Sequence, residues 1–237
     1  DVYKRQVMDG HGGYMNGSRY YGEDLPINTW YMKRFAGLSE DGLSLWYYTD
    51  KETNEEKTTT TYSTGDFYLC GDPNPDLYGG FGTSITFHGF DLSTQFSYLV
   101  GGLTYDYGYA GMMGNPTATS VGNRWHKDVL KAWSPENPSS TIPRWYFNDL
   151  NTTGSSDRFL IDGSYLNLQN IQVGYTLPDS WTSHLKIKNL RLYFVCDNVY
   201  YWSKRKGLDP RRSISGVGTS GKIAPFRTYS GGISLQF

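Results

Sequence analysis

The chain has 237 residues, and its 22 Lys and Arg against 23 Asp and Glu give a formal net charge of −1. This balance argues against nucleic acid as a partner, because phosphate binding needs a surplus of basic residues. Aromatic residues make up 16% of the chain, which excludes disorder, and no apolar run reaches the ~18 residues of a membrane-spanning helix. A transmembrane β-barrel and a secreted β-sandwich both stay open.

The N-terminal region offers little structural signal. Residues 1–6 look like a translated sequencing-library adapter, so they are left out of the fold prediction and the natural protein is expected to begin upstream. Residues 7–79 show little periodicity and are predicted to be mostly loop.

Alternating apolar and polar residues predict the first strands further along the chain. Residues 81–88 and 90–100 alternate cleanly, and Gly89 supplies a tight turn between them. This pattern predicts a β-hairpin with one apolar face and one face of small polar residues. The stretch 125–133 is the only helical candidate, and it is too short to carry a domain.

Three more strands are predicted towards the C-terminus, at 164–177, 189–202 and 228–237. In the first of them the apolar phase changes at Gln169 and Asn170. A β-bulge there would reset the phase, or this part of the strand lies above a bilayer, where alternation is not enforced.

The connections between these strands are of very unequal length. The Gly89 turn is tight and the 178–188 link is short, whereas 108–163 and 203–225 are long. Short turns on one side and long loops on the other are typical of outer-membrane barrels. Alternation alone does not separate such a barrel from a sandwich, but this asymmetry favours the barrel.

The last strand fits a barrel-assembly signal. Outer-membrane barrels commonly end in a polar, Gly, apolar and aromatic pattern, which Ser230, Gly232, Leu235 and Phe237 match. The strand also lacks the Lys, Pro or inward charge that blunts most soluble edge strands. The alternative is an ordinary final strand that ends in Phe.

The sequence shows no recognisable catalytic or metal-binding motif. The four His have no metal-ligand spacing, Cys70 and Cys196 are expected to be unpaired, and no nucleophile elbow or carboxylate pair is recognisable. Asp72, Asn74 and Asp76 begin like a calcium loop, but the required Gly and Glu do not follow. We predict no enzyme activity, no metal and no cofactor.

Several motifs resemble one family. They are Ser156–Leu160, Asp162–Leu166, Asn170–Pro178, the Asn-aromatic pair in Asp197–Tyr200, and the Lys-Gly-x-Asp-Pro loop Lys206–Pro210. Together they resemble the late-barrel signature of the SusC/RagA family of TonB-dependent outer-membrane transporters, which import glycans or peptides. The resemblance implies an all-β fold: an antiparallel transmembrane β-barrel with long extracellular loops. Residues 7–237 would be an incomplete C-terminal part of a 22-stranded plugged barrel, without the plug domain and TonB box.

The same resemblance implies a function in the outer membrane of a Gram-negative cell. The partners would be a SusD-like surface lipoprotein, TonB acting through the plug, the barrel-assembly machinery, and an oligosaccharide or peptide substrate. The loops 108–163 and 203–225 would be extracellular and 178–188 periplasmic. Candidate contacts for the lipoprotein or substrate are Trp125, Trp133, Trp145 and Tyr146; packing within the loop is the alternative for each. A soluble carbohydrate-binding β-sandwich and a passive porin are the rival functions.

Overall fold

The structure is a computed structural model that describes residues 6–8, 11–117, 122, 124–149, 151, 154–212, 215–218 and 225–237. The expected adapter sequence lies outside the described residues, apart from Gln6 at the start of the first strand. The chain forms two compact units. The first comprises Asp1–Asn74, Gly102–Asp162 and Arg212–Gly221, and the second comprises Pro75–Gly101, Gly163–Arg211 and Lys222–Phe237.

The described residues are mainly β-structure. The strands are β1 Gln6–Met8, β2 His11–Asn16, β3 Arg19–Gly22, β4 Thr29–Lys33, β5 Phe35–Leu38, β6 Ser44–Thr49, β7 Glu56–Thr59, β8 Phe67–Leu69, β9 Leu77–Phe87, β10 Phe90–Val100, β11 Leu103–Tyr105, β12 Leu160–Asp162, β13 Tyr165–Thr176, β14 Asn189–Ser203 and β15 Thr228–Gln236. Two short α-helices, α1 Tyr107–Met113 and α2 Asp179–Thr182, accompany them, with 3-10 turns at Lys127–Lys131, Asp157–Phe159, Ser183–Leu185 and Pro210–Arg212. None of the described helices is long and apolar enough to cross a membrane.

The second unit is one antiparallel sheet in the order β15-β14-β13-β10-β9. Its five strands are those predicted from alternation. The β9–β10 hairpin turns at His88 and Gly89, which both have positive φ, 48° and 86°. Two successive residues of this kind form the tight turn that matches the twist of a hairpin.

The predicted β-bulge in β13 is confirmed. Asn170 pairs with Gln95 of β10, whereas Leu168 pairs with Phe96, so Gln169 is left without a partner in the register. The same irregularity appears against β14. The extra residue shifts the phase, and the apolar side chains on both sides of it therefore reach the same face of the sheet.

The short connections of this sheet lie at one end of its strands, and the long connections lie at the other end. The β9–β10 turn and the segment 177–188 between β13 and β14 join the strands at one end. The two longer connections, 101–164 and 204–227, both leave from the opposite end. We refer to these as the short-turn end and the long-loop end.

The first unit contains the remaining strands in three small sheets, ordered β1-β2-β3-β4-β8, β5-β6-β7 and β11-β12. Its core is made of large side chains from β4, β11, α1 and the turn before β12: Trp30, Met32, Tyr105, Met113 and Phe159. Trp30 is fully buried, and its indole N–H donates to the carbonyl of Leu103 at 3.1 Å.

The prediction that residues 7–79 are mostly loop is wrong. Strands β1 to β8 lie there, but each has only three to six residues. All five residues of β4 are buried, including Lys33, so that strand shows no alternation. The Lys33 ammonium donates to the carbonyls of Tyr62 and Gly65 at 2.6 and 2.7 Å. Burial lowers the pKa of Lys33, and these carbonyls compensate the buried charge.

Candidate functional site

One face of the five-stranded sheet is apolar from edge to edge. The register aligns one row across β9, β10, β13, β14 and β15, consisting of Phe87, Phe90, Tyr175, Leu192 and Ile233. Phe87, Phe90 and Ile233 are 69%, 58% and 65% exposed. A β-sandwich would cover such a face with a second sheet, whereas a barrel turns it towards lipid.

The opposite face is polar and carries an ion pair that spans three strands. Arg191 of β14 donates to both carboxylate oxygens of Asp91 on β10, at 2.9 and 2.6 Å. Gly174 of β13 lies beneath the pair, and a Cβ atom there would come within 2.4 Å of the Asp91 carboxylate. The glycine therefore leaves room for the bridge, and this face suits an aqueous lumen.

The four residues of the expected assembly signal lie on and just after β15. Ser230 and Gly232 are on the polar face, whereas Leu235 pairs with Leu190 and is 49% exposed on the apolar face. Phe237 follows the strand and is 73% exposed. Within the described chain β15 pairs only with β14, so its other edge is open to a further strand. The structure thus gives their positions, and their part in assembly stays a prediction.

Gly232 is required by packing, which gives a testable contrast with its neighbour Gly231. A Cβ atom at Gly232 would lie 2.3 Å from the Tyr193 ring, whereas one at Gly231 would meet only the Tyr193 carbonyl, at 3.8 Å. We expect Gly232→Val to displace Tyr193 and destabilise the barrel by about 1–3 kcal/mol.

The matched variant Gly231→Val places its side chain on the apolar face and is expected to leave stability unchanged. The measurement is the temperature at which the folded, fast-migrating form of the whole receptor is lost in gel electrophoresis. Equal unfolding temperatures for the two variants would contradict the role of Tyr193 packing.

A polar clamp holds the loop after β14 against the long-loop end of the sheet. Arg211 forms an ion pair with Asp209 at 2.7 Å and donates to the Asn198 side chain at 2.9 Å. Its guanidinium lies 4.5 Å above the Tyr201 ring and also bonds Asn167. The clamp joins the Asn-aromatic pair to the Lys-Gly-x-Asp-Pro loop, two motifs that are separate in the sequence.

In the first unit, the structure brings together three of the four predicted aromatic contacts. Trp125 and Trp145 pack edge to face with ring centroids 5.3 Å apart, and the Trp145 indole donates to the carbonyl of Gly114 at 3.2 Å. Tyr146 follows directly and is 65% exposed. The ring of Trp133 packs on Gly42, where a Cβ atom would lie 2.3 Å from it.

Sequence reasoning missed one neighbouring residue, Phe147, which is 59% exposed. Trp145, Tyr146 and Phe147 form a consecutive exposed stretch that we call the aromatic patch. The guanidinium of Arg144 lies 5.4 Å from the Tyr146 ring. The signal in the sequence that could have identified Phe147 is a run of three consecutive aromatic residues after an arginine. Exposed aromatic groups of this kind are enriched at binding surfaces.

The described residues contain no group of three or more His, Cys, Asp or Glu that could hold a metal ion. In the suspected calcium loop, the Asp72 carboxylate accepts the backbone N–H of Asn74 at 2.8 Å, an ordinary turn bond. Cys70 and Cys196 are both unpaired. Burial raises the pKa of the Cys70 thiol to about 11, so it is not a reactive thiolate at neutral pH.

The antiparallel sheet, with one polar and one exposed apolar face, is an open part of a transmembrane β-barrel. Similar proteins agree with this fold. The chain is 29% identical over 235 residues to TonB-dependent receptor P3 of Formosa agariphila, covering 95% of this chain and 22% of the relative. It is 27% identical over 180 residues to TonB-dependent receptor SusC of Bacteroides thetaiotaomicron, covering 75% and 17%. No family model matches the chain.

Solved structures give the same result. The RagAB peptide importer in its open-open state superposes with a TM-score of 0.74 at 26% identity, over 98% of this chain and 25% of that chain. The predicted resemblance is therefore confirmed: over most of its length the chain is similar to part of TonB-dependent receptors, among them SusC and the RagAB importer. It spans about a fifth of the length of receptor P3.

Proposed function

We propose that the chain is the C-terminal barrel part of an outer-membrane active transporter. The whole protein would import oligosaccharides or peptides together with a SusD-like lipoprotein and be powered through TonB. The observation that carries the proposal is the apolar row from Phe87 to Ile233, which is exposed across a sheet that resembles TonB-dependent receptors.

The ends of the sheet suggest its orientation. Bacterial outer-membrane barrels have short periplasmic turns and longer extracellular loops. The short-turn end is therefore assigned to the periplasm and the long-loop end to the cell surface. On this assignment 108–163, which includes the aromatic patch, is extracellular and available to a lipoprotein or substrate. TonB would act through a plug encoded upstream.

The substrate class is proposed from the relatives. One solved relative is named a peptide importer, whereas the name of SusC does not state what that receptor transports. The patch residues Tyr146 and Phe147 can stack on sugar rings or pack against apolar peptide side chains. Oligosaccharides and peptides therefore both remain in the proposal.

The proposal is tested with the whole receptor in its native host. We expect an outer-membrane protein that migrates faster on a gel before heating than after it. Uptake of labelled oligosaccharide and tryptic-peptide mixtures should fall to background when either the receptor gene or the TonB gene is deleted, and the receptor gene should restore it.

Each rival function gives a different result. Uptake that needs the receptor but persists without TonB indicates a passive porin. A receptor that stays in solution without detergent and is retained on a glycan column indicates the β-sandwich. Either result would overturn the proposed transporter.

A further inference from the structure

A cavity of about 490 Å³ lies at the long-loop end of β14. The last register pair between β14 and β15 is Asp197 with Thr228, and β14 continues for six residues beyond it, to Ser203. The chain entering β15 runs beside this extension, where the Asn198 side chain donates to the carbonyl of Pro225 at 2.8 Å. The cavity is bounded by both segments and by the loop after β14.

Two aromatic rings of the cavity belong to the apolar face of the sheet. Tyr200 pairs with Leu168, which in turn pairs with Phe96, and Trp202 follows two residues later on the same side. Their ring centroids are 4.9 Å apart, and each side chain is 48% exposed. Two of the cavity's rings therefore lie on the face that a barrel presents to lipid, whereas Tyr201 lines it from the polar face. Aromatic residues at strand ends form the interfacial girdles of such barrels.

The other notable lining residues are basic. Lys206, Arg211 and Arg227 line the cavity, and none of the described lining residues is acidic. Arg211 is committed to Asp209. Lys206 and Arg227 form no ion pair with any residue that the structure describes, and Arg227 contacts the Tyr229 hydroxyl at 3.5 Å. These two cations thus line the same cavity as the exposed rings of Tyr200 and Trp202.

We propose that this cavity binds the phosphate of a phosphorylated lipid head group, with the acyl chains lying along the apolar face. Lys206 and Arg227 would contact the phosphate, since basic side chains near a membrane surface attract anionic head groups. Tyr200 and Trp202 would pack beside the boundary between head group and chains. Free inorganic phosphate is also an anion, but contact with the adjoining apolar surface would not strengthen its binding.

The proposal rests on the barrel fold and on an apolar face that points outwards to lipid. It does not depend on which substrate the receptor imports. The test uses the whole purified receptor in phosphatidylcholine nanodiscs. Titrating them with bisphosphorylated lipid A, with dephosphorylated lipid A or with inorganic phosphate separates the lipid from the free ion. We expect saturable binding of phosphorylated lipid A that is at least tenfold tighter than either control ligand.

Two double variants locate the site. Lys206→Gln with Arg227→Gln removes both available cations, and we expect it to weaken binding of phosphorylated lipid A by about tenfold or more. Lys188→Gln with Lys204→Gln removes the same charge outside the cavity and should leave affinity unchanged. Equal losses in the two variants would overturn the site. Inorganic phosphate binding as tightly as the lipid would overturn the lipid assignment.

Discussion

Replacing Ile171 with arginine will prevent the receptor from assembling in the outer membrane, whereas the same change at Gln172 will be tolerated. Ile171 aligns with Thr94 and Cys196 on the apolar face of the sheet. It lies near the middle of β13, four residues before Tyr175 of the apolar row. An arginine at the bilayer midplane of a barrel costs about 2–4 kcal/mol, whereas substitutions on the lumen face are accepted.

The two positions form a matched pair because they are adjacent in β13 and their side chains point to opposite faces. Gln172 aligns with Ser93 and Val195 on the polar side. The measurement is the amount of heat-modifiable receptor in the outer-membrane fraction of cells expressing each variant. Severe loss for Gln172→Arg with normal assembly of Ile171→Arg would reverse the assignment of the faces. Equal effects would remove the support for a lipid-facing surface.

The second unit was predictable because a half-exposed antiparallel sheet leaves a period-two pattern in the sequence. Each of its five strands was found, and the change of phase at Gln169 predicted the bulge. Alternation could not decide which face is lipid-facing. That required the register, which aligns Phe87 with Ile233 across the sheet and shows both side chains exposed.

The first unit was not predictable by the same means. Strand β4 is buried on both faces, so its polar and apolar residues do not alternate. Helix α1 has the sequence YGYAGMM, with two glycines. Its N-cap Asp106 accepts the N–H of Tyr109 at 2.9 Å and is itself fixed by a tertiary bond, from its backbone N–H to the carbonyl of Phe159 at 3.0 Å. Such contacts override local propensity.

Long-range side-chain contacts could not be predicted from the sequence either. The Arg191–Asp91 bridge joins residues 100 positions apart and depends on the small size of Gly174 between them. Arg211 was not singled out, although it links the Asn198 and Asp209 motifs. Trp133 packs on Gly42, which lies outside the 108–163 loop, and the sequence gives no sign of this contact.

Removing the two most exposed rings of the aromatic patch will weaken capture of the partner or substrate while leaving the fold intact. Tyr146 and Phe147 are 65% and 59% exposed, so Tyr146→Ser with Phe147→Ser removes little internal packing. Trp145 is retained because it packs on Trp125 and bonds Gly114. Aromatic side chains at the centre of an interface often contribute 2 kcal/mol or more, so we expect at least about a tenfold loss of affinity.

The control for the patch is Tyr14→Ser in the same unit. Tyr14 is 40% exposed and is stacked on Tyr21 at 5.3 Å, so this change also removes an accessible ring that has an aromatic neighbour. The measurements are co-purification of the proposed SusD-like lipoprotein with the whole receptor and uptake of labelled oligosaccharide and peptide mixtures. Loss of either in the double variant alone assigns contact to the patch, because Tyr14→Ser also removes an exposed aromatic ring from the same unit. Unchanged association and uptake in both variants would show that Tyr146 and Phe147 are not contacts, and would return Trp125 and Trp145 to the role of packing their own loop.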